Sequence, residues 1–383
     1  MAALAVYVHW PFCVSKCPYC DFLSIVADPS IHKDFEKFLL QDLKNELKKF
    51  PNQSISSVFF GGGTPSLMSA KSIENMLQAL QKQCSLENNA EITLEANPGT
   101  FDYQKLLDFQ NAGVNRLSLG VQSFKEKNLR FLGRIYDEKQ SLKATEIASR
   151  TFANFSLDFI YGYQCQTLED LQQDLIRAVD FGCQHLSCYQ LTFEENTPFF
   201  HRLAAGIIKK INENHELKCY KLINSFLLSK NIRRYEVSNY AVAGCESRHN
   251  LCYWKYQDYL GVGPGAHSRI TIDGRKYEIK KISSPEKWAD ALKNKENTVS
   301  IQKMLSFQEE LEERVIMGLR LIDGVDMKNL REVIPGKNIC QTLSDQKIYF
   351  LMTHDLLEKN NEKIKLTYLG TLKMNSVLEF LLS

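Results

Sequence analysis

The first 200 residues repeat one pattern, in which a short apolar or β-branched run is followed by a loop and an amphipathic helix. In the helical stretches apolar residues recur every three or four positions, as Phe35, Leu39 and Leu43 do. Successive strand–helix units favour parallel strands joined by right-handed crossovers. We therefore expect an α/β fold, either a partial barrel or an open doubly wound sheet. The predicted strands are Ala5–His9, Ser57–Phe60, Ile92–Ala96, Arg116–Val121, Leu157–Tyr161 and Leu186–Leu191.

The pattern changes after about residue 205. Helical sequence continues to about Lys230 and is followed by a predicted strand, Arg234–Tyr240, and a glycine-rich segment, Leu260–His267. Ser306 and Glu309 match a capping box that opens a further helix. We predict a core domain over residues 1–230 and a mostly helical second domain over residues 231–383.

Composition excludes several classes of function. Lys and Arg number 47 and Asp and Glu 45, a net charge of +2, which does not favour a general nucleic-acid binder or a protein of anionic membrane surfaces. The sequence contains no apolar run of the roughly 18 residues that a transmembrane helix needs. The stretch Met1–Trp10 lacks the basic region of a signal peptide. We therefore predict no nucleic-acid partner, no transmembrane segment and a cytoplasmic location.

The eleven cysteines are an odd number, and only three of them are clustered. In a reducing compartment a cluster of cysteines indicates metal binding or catalysis more than disulfides. We predict that the eight scattered cysteines are buried, inert thiols. These eight are Cys84, Cys165, Cys183, Cys188, Cys219, Cys245, Cys252 and Cys340.

The clustered cysteines, Cys13, Cys17 and Cys20, lie in the loop after the first predicted strand. Three thiolates so close together can hold three irons of a cubane iron–sulfur cluster. Position 22 is Phe, so the loop lacks a fourth cysteine and one iron would stay open to an exogenous ligand. A tetrahedral zinc site is the alternative, with His9 as the nearby candidate for its fourth ligand.

Further polar candidates follow the predicted strands. The segment Gly61–Ser66, Gly-Gly-Gly-Thr-Pro-Ser, follows the second strand, and its glycines would let the backbone approach a ligand with free N–H groups. Glu95, Gln122 and Asp158 each lie within or just after an apolar strand, and Arg134 follows shortly. Ligands of parallel α/β folds bind at the carboxyl ends of strands, so these side chains are expected to converge on one polar ligand.

These motifs, together with Tyr7-Val-His-Trp-Pro-Phe-Cys, Glu-Ala-Asn-Pro and Gly-Val-Gln-Ser, resemble those of the radical S-adenosylmethionine (SAM) enzymes. More narrowly they resemble the branch of the oxygen-independent coproporphyrinogen III oxidase and the HemW-type haem chaperones. The resemblance implies an incomplete six-unit barrel and a 4Fe–4S cluster on Cys13, Cys17 and Cys20, with SAM on its open iron. The residues that it assigns to cofactor binding are Tyr7, Gly62, Gly63, Thr64, Glu95, Gln122, Arg134 and Asp158.

The two branches are separated by further residues. The oxidase typically has a cysteine two residues after the cluster motif and a longer N-terminal extension, whereas this chain has Phe22 and only six residues before Tyr7. Residues 249–254 read His-Asn-Leu-Cys-Tyr-Trp, a pattern linked with haem binding in the chaperone branch. His249 is then the predicted haem ligand, with Cys252 as a weaker second contact.

The resemblance favours a haem chaperone that passes haem to an acceptor haemoprotein. An electron donor such as flavodoxin or ferredoxin would be a further partner. The alternative is the oxidase itself, which decarboxylates coproporphyrinogen III by radical chemistry. We assign no catalytic residue. The role of His267, which also belongs to the family pattern, stays open.

Overall fold

The computed structural model of the chain describes residues 3–333 and 343–383. The first part contains, in order, β1 (Leu4–Trp10), β2 (Phe12–Cys13), β3 (Ile25–Val26), α1 (His32–Leu47), β4 (Ser54–Gly62), α2 (Ala70–Gln83), β5 (Ser85–Ala96), α3 (Tyr103–Asn111), β6 (Arg116–Gln122), α4 (Glu126–Phe131), α5 (Glu138–Thr151), β7 (Phe155–Tyr161), α6 (Leu168–Asp180), β8 (His185–Gln190), α7 (Pro198–Ala204) and α8 (Glu213–Ser229).

The remaining elements are β9 (Arg233–Arg234), β10 (Asn239–Ala241), α9 (Arg248–Trp254), β11 (Tyr259–Val262), β12 (His267–Ile272), β13 (Arg275–Lys281), α10 (Pro285–Lys293), β14 (Val299–Met304), α11 (Phe307–Gly318), β15 (Val325–Asp326), α12 (Met327–Val333), α13 (Asp345–Thr353), β16 (Leu357–Lys359), β17 (Lys363–Leu366), α14 (Tyr368–Leu372) and α15 (Met374–Leu382). The capping box predicted at Ser306 is present at the start of α11.

The six predicted strands form a continuous parallel series within one large sheet. Strands β1, β4, β5, β6, β7 and β8 lie side by side in that order, each parallel to the next. The two end strands of this series, β1 and β8, do not pair with each other. On its outer side β1 pairs with β11, and β8 pairs with β10. The barrel is therefore incomplete, which confirms the predicted fold class.

The sheet also extends beyond both ends of the parallel series. Strand β11 is parallel to β1, and β12, β13 and β14 follow as antiparallel neighbours. The strand predicted over Arg234–Tyr240 is two short antiparallel strands, β9 and β10. A second, smaller apolar core joins residues between Leu311 and Leu381. The domain boundary at residue 230 stays a prediction, while the sheet itself continues to Met304.

Side chains alternate between two different surroundings along each parallel strand. In β7, Leu157 and Phe159 belong to the main apolar core, whereas Asp158 between them lines a cavity inside the barrel. In β6, Leu117 and Leu119 are likewise in the core, and Ser118 lines the cavity. The apolar face of the sheet carries the helices, and the polar face is left for a binding site.

A buried ion cluster joins α1 to the antiparallel extension. The Lys281 ammonium, 1% exposed, donates to Asp42 at 2.8 Å, to Glu46 at 2.6 Å and to the Thr298 hydroxyl at 2.8 Å. Burial alone would raise the pKa of Glu46, but the charge and hydrogen bond of Lys281 lower it. Each charge in this cluster depends on the others, because an unpaired buried charge is costly.

The scattered cysteines differ in exposure. Cys84, Cys183, Cys188, Cys219 and Cys252 are buried, as predicted, and Cys245 is half-buried. The prediction is wrong for Cys165, which is exposed because it lies in the loop between β7 and α6. Cys340 is outside the described residues. Within residues 3–333 and 343–383, no helix is long and apolar enough to cross a bilayer.

Candidate functional site

The three clustered cysteines lie on one loop at the carboxyl end of β1. Cys13 ends β2, which pairs with β3, and the N–H of Cys20 donates to the Cys17 carbonyl at 3.1 Å. All three thiols are partly exposed, and none of them is in a disulfide. Burial raises the pKa of the Cys13 and Cys20 thiols. A set of three sulfur donors with no carboxylate among them suits iron–sulfur chemistry.

His9 is not free to complete a zinc site. Its Nε2 lies 2.8 Å from the Leu23 carbonyl oxygen and must donate to it, so Nδ1 accepts the Tyr7 hydroxyl proton at 3.1 Å. Across the described parts of the chain, no three His, Cys, Asp or Glu side chains converge on a position where a single metal ion could sit. The thiols of a cubane need not converge in this way, because each binds a different iron. The geometry therefore favours the cluster over the zinc alternative.

Arg134 connects the cysteine loop to the ends of the neighbouring strands. Its guanidinium donates to Cys17 Sγ at 2.9 Å, to the Tyr136 hydroxyl at 2.8 Å and to the Asn97 amide oxygen at 3.2 Å. It also donates to the Gly120 carbonyl at 3.0 Å. A hydrogen bond to a cysteine sulfur influences the electronic properties of any cluster that the sulfur binds.

The glycine loop is fitted tightly against the cysteine loop. The Gly63 N–H donates to the Trp10 carbonyl at 2.6 Å and the Thr64 N–H to the Phe12 carbonyl at 2.9 Å. A Cβ at Gly63 would lie 2.6 Å from the Phe12 carbonyl oxygen. Gly62, at φ +116°, is in the left-handed region and its N–H donates to Glu95 Oε2 at 3.1 Å.

The expectation that these N–H groups are free for a ligand is therefore wrong. All three are used within the protein, since those of Gly63 and Thr64 hold the cysteine loop and that of Gly62 holds Glu95. The Thr64 hydroxyl is likewise engaged, because it accepts from the Asn97 amide at 3.1 Å and hydrogen-bonds the Cys13 thiol.

Inside the barrel the polar faces of the strands surround a cavity of about 210 Å³. It brings together four of the predicted site residues, Tyr7, Glu95, Asp158 and His249. Further lining residues are Phe59, Arg116, Ser118, His185, Ser187, Tyr189, Asn250 and Tyr253.

The two carboxyl groups that line the cavity, those of Glu95 and Asp158, both have raised pKa values. Burial, together with the nearby Asp158, raises the pKa of Glu95 to about 8, and the Gly62 N–H offsets only part of this. Burial also raises the pKa of Asp158. Hydrogen bonds from Ser187 and Ser118 and the charge of Arg116 lower this pKa, but by less than burial raises it. Two half-buried carboxyl groups held near each other suit a cationic ligand, which would favour their ionised form. SAM, with its sulfonium and amino groups, is such a ligand.

Gln122 lies at the edge of the site and not in the cavity lining. It ends β6 with φ +65°, a left-handed conformation that a residue with a side chain rarely adopts. Its amide nitrogen lies close to Gly120, as do Asn97 and Arg134, since a Cβ added at Gly120 would meet all three side chains within 3.3 Å. Gln122 and Arg134 therefore belong to one polar group beside Cys17.

His249 lies at the other end of the barrel from the cysteines. Its Nδ1 pairs with the Ser57 hydroxyl at 2.9 Å and its Nε2 with the Tyr253 hydroxyl at 2.7 Å. The side chain is 1% exposed, and burial, with the charge of Arg116, lowers its pKa to about 3. Cys252 is also buried, with its thiol 3.5 Å from the Asp258 carbonyl. In this structure neither residue offers an open iron ligand, so haem ligation by His249 stays a prediction that the geometry does not support.

Several residues of the site were not singled out from the sequence. Asn97 joins Thr64 to Arg134, and Tyr136 holds the guanidinium from the other side. Arg116 is 2% exposed in the cavity wall. Asn97 lies within the motif Glu-Ala-Asn-Pro, which could have indicated it. Arg116 and Tyr136 carry no local signal, because their roles depend on strands that are distant in the sequence.

Comparison with known proteins identifies relatives of this chain. The chain matches the Radical SAM superfamily over residues 7–178 and the HemN C-terminal domain over residues 305–372. It is 34% identical to the heme chaperone HemW of Haemophilus influenzae and 33% identical to that of Escherichia coli, in each case over 99% of this chain and 98% of the relative.

A mitochondrial relative and a solved structure extend the comparison. The mouse radical S-adenosyl methionine domain-containing protein 1, mitochondrial, is 32% identical over 99% of this chain and 87% of its own length. The structure of coproporphyrinogen III oxidase (HemN) from Escherichia coli superposes with a TM-score of 0.84 at 20% identity, covering 100% of this chain and 90% of that one. At that identity the superposition shows the common fold alone.

Proposed function

This chain belongs to the HemW family of radical SAM proteins, and on that premise we propose that it is a haem chaperone, which binds haem and delivers it to an acceptor haemoprotein. The observation that carries the proposal is the match to HemW relatives along almost the entire chain at 33–34% identity. Over such a length, the cofactor site and the regions outside it are both related to proteins of that name.

The superfamily implies a 4Fe–4S cluster and SAM as cofactors. We propose Cys13, Cys17 and Cys20 as the cluster ligands, because they form a set of three partly exposed thiols on one loop whose sequence contains no fourth cysteine. When bound, the cluster and SAM supply one-electron reduction of the sulfonium and thereby a source of a deoxyadenosyl radical.

The chain's own residues prepare the site for these groups. Arg134 orients the Cys17 sulfur through its 2.9 Å hydrogen bond, and Asn97 and Tyr136 hold Arg134 in turn. The Gly62 N–H fixes one oxygen of Glu95 at 3.1 Å and leaves the other for a ligand. We propose that Glu95 and Asp158 hold the cationic SAM, with Tyr7, Gly63, Thr64 and Gln122 around it.

The partners follow from the proposed function. An acceptor haemoprotein takes the haem, and a small electron-transfer protein such as flavodoxin or ferredoxin is the candidate donor for the cluster. We propose the cytoplasm as the place of action, because three reduced thiols on a partly exposed loop suit a reducing compartment.

The competing activity is oxygen-independent coproporphyrinogen III oxidation. The resemblance to the HemN structure concerns the fold alone, and the position that carries a fourth cysteine in the typical oxidase motif is Phe22, which is 62% exposed beside the cysteine loop. No feature of the described cavity favours the oxidase over the chaperone.

Haem transfer tests the proposal directly. We would load the anaerobically reconstituted protein with haem, remove unbound haem, and mix it with an apo b-type cytochrome. The expected result is a Soret spectrum of the loaded chaperone that converts to that of the holo-cytochrome. A protein that retains no haem after desalting, while carrying a full cluster, would contradict the proposal.

A further inference from the structure

Helix α9, which carries the His-Asn-Leu-Cys-Tyr-Trp segment, is anchored at the amino ends of the parallel strands. The Glu91 carboxylate, 6% exposed on β5, accepts from the N–H groups of His249 at 3.0 Å and Arg248 at 3.1 Å. It also accepts from the Ser247 hydroxyl at 3.3 Å. These bonds fix the start of the helix against the end of the barrel opposite to the cysteine loop.

The imidazole of His249 fills the space between this helix and the strands. It stacks on the Phe59 ring at a centroid distance of 5.1 Å and meets the Tyr253 ring edge-on at 4.9 Å. Its two nitrogens pair with hydroxyl groups from both sides, Ser57 on β4 and Tyr253 on α9 itself. The side chain therefore connects β4 to α9 at the amino ends of the parallel strands.

An axial haem ligand needs a nitrogen lone pair and room for the porphyrin. A neutral imidazole has one N–H and one lone pair, and here each nitrogen already has a partner. Glu95 and Asp158, which we propose to hold SAM, line the same cavity of about 210 Å³, so a porphyrin at His249 would compete with SAM for this space. A porphyrin would have to separate α9 from the barrel to reach the ring.

We infer that α9 is the floor of the barrel cavity, and that His249 serves to close this floor and does not ligate the haem iron. Among the described residues, α9 then closes the cavity at the amino ends of the strands, and the haem of the chaperone binds outside it. The part of this inference that concerns haem rests on the proposed function. The part that concerns closure does not.

The haem part is tested with two matched variants of the full chain. His249→Gln removes the imidazole but keeps a donor and an acceptor for the two hydroxyls. Glu91→Gln weakens the anchoring of the same helix and leaves the imidazole in place. We would measure haem affinity, the Soret band and the electron paramagnetic resonance spectrum of each ferric haem complex.

The inference predicts the same haem spectrum for wild type and His249→Gln, or equal changes in both variants. It is overturned if His249→Gln alone shifts the Soret band and the spin state, with a loss of about tenfold or more in affinity, while Glu91→Gln behaves as wild type. If the wild type binds no haem, the proposed function fails, and the closure is decided by the following measurement.

Closure is tested without haem by carbethoxylation of histidines with diethyl pyrocarbonate, mapped by mass spectrometry. We expect His249 to resist the reagent in the native protein, while the exposed His201 and His354 react. The melting temperature of His249→Ala should fall by several degrees, with partial recovery in His249→Gln. A His249 that reacts as fast as His201 would refute a closed floor.

Discussion

The Glu95→Gln substitution tests the cavity most informatively, because it should weaken SAM binding and stabilise the ligand-free protein at the same time. The Glu95 carboxyl is half-buried in the cavity wall, accepts the Gly62 N–H at 3.1 Å and lies near Asp158. Gln keeps the size and the oxygen that accepts this bond, so the change removes the charge and little else.

The loss of binding follows from the charge of the ligand. A hydrogen bond to a charged group is worth about 1.5–3 kcal/mol, so the variant should bind SAM about tenfold to a hundredfold more weakly at high pH. With a pKa of about 8, Glu95 is largely protonated at pH 7 and largely ionised at pH 9. The wild-type affinity should therefore rise by about tenfold over this interval through Glu95.

The effect on stability has the opposite sign. The pKa of Glu95 is raised from 4.5 in the unfolded chain to about 8 in the folded one, so the unfolded state gains by ionising as the pH rises between these values. At pH 7 the penalty on folding is about 3 kcal/mol. Gln does not titrate, so the stability of the variant relative to wild type should increase from pH 5 to pH 8.

The assay is equilibrium dialysis of SAM against the anaerobically reconstituted protein from pH 7 to pH 9, with urea unfolding of the ligand-free protein. The amino group of SAM also titrates in this range, so the quantity of interest is the difference between wild type and variant. Asp174→Asn is the matched control, since burial raises the pKa of Asp174 to about 7 but its partners, Ser123 and Phe124, are outside the cavity. Equal affinities of wild type and Glu95→Gln at pH 9 would refute the assignment.

Three further changes test the cluster loop and the framework. Cys17→Ala should prevent a full 4Fe–4S complement, and anaerobic iron and sulfide analysis that finds a complete, stable cluster would exclude this ligand. Gly63→Ala would put a Cβ 2.6 Å from the Phe12 carbonyl oxygen, so we expect a lower melting temperature and a lower iron content, and unchanged values would contradict the tight loop contact. Lys281→Met should lower the free energy of urea unfolding by about 3–5 kcal/mol, because two buried carboxylates lose their cation. Lys293→Met, which breaks an exposed ion pair, should cost less than about 1 kcal/mol, and equal losses would argue against the buried cluster.

The parallel strands could be predicted because their pattern is local. Leu157, Asp158 and Phe159 alternate between core and cavity within one strand, and the helix that follows repeats its apolar residues every three or four positions. The antiparallel extension was not predicted. Strand β13 reads Arg-Lys-Tyr-Glu-Ile-Lys-Lys, a polar sequence that does not indicate a buried strand. Its last residue, Lys281, is paired with a carboxylate of α1, which is far away in the sequence.

The candidate site was predicted as a set of residues, but their bonding was not. Sequence spacing identifies a glycine loop beside a cysteine loop, yet it does not indicate that the N–H groups of one bond the carbonyls of the other. Likewise, His249 is part of a recognisable motif, but its partner Ser57 is 192 positions away. Hydrogen-bond partners of this kind depend on the tertiary fold, which a motif does not contain.

The central claim is that this chain holds and transfers haem and does not oxidise porphyrinogen. The most direct measurement supplies the anaerobically reconstituted protein with SAM, a reductant, coproporphyrinogen III and haem, and follows haem retention and porphyrinogen turnover side by side. The account predicts retained haem, a Soret band that survives desalting, and no protoporphyrinogen. Formation of protoporphyrinogen without retained haem would contradict it and assign the oxidase reaction instead.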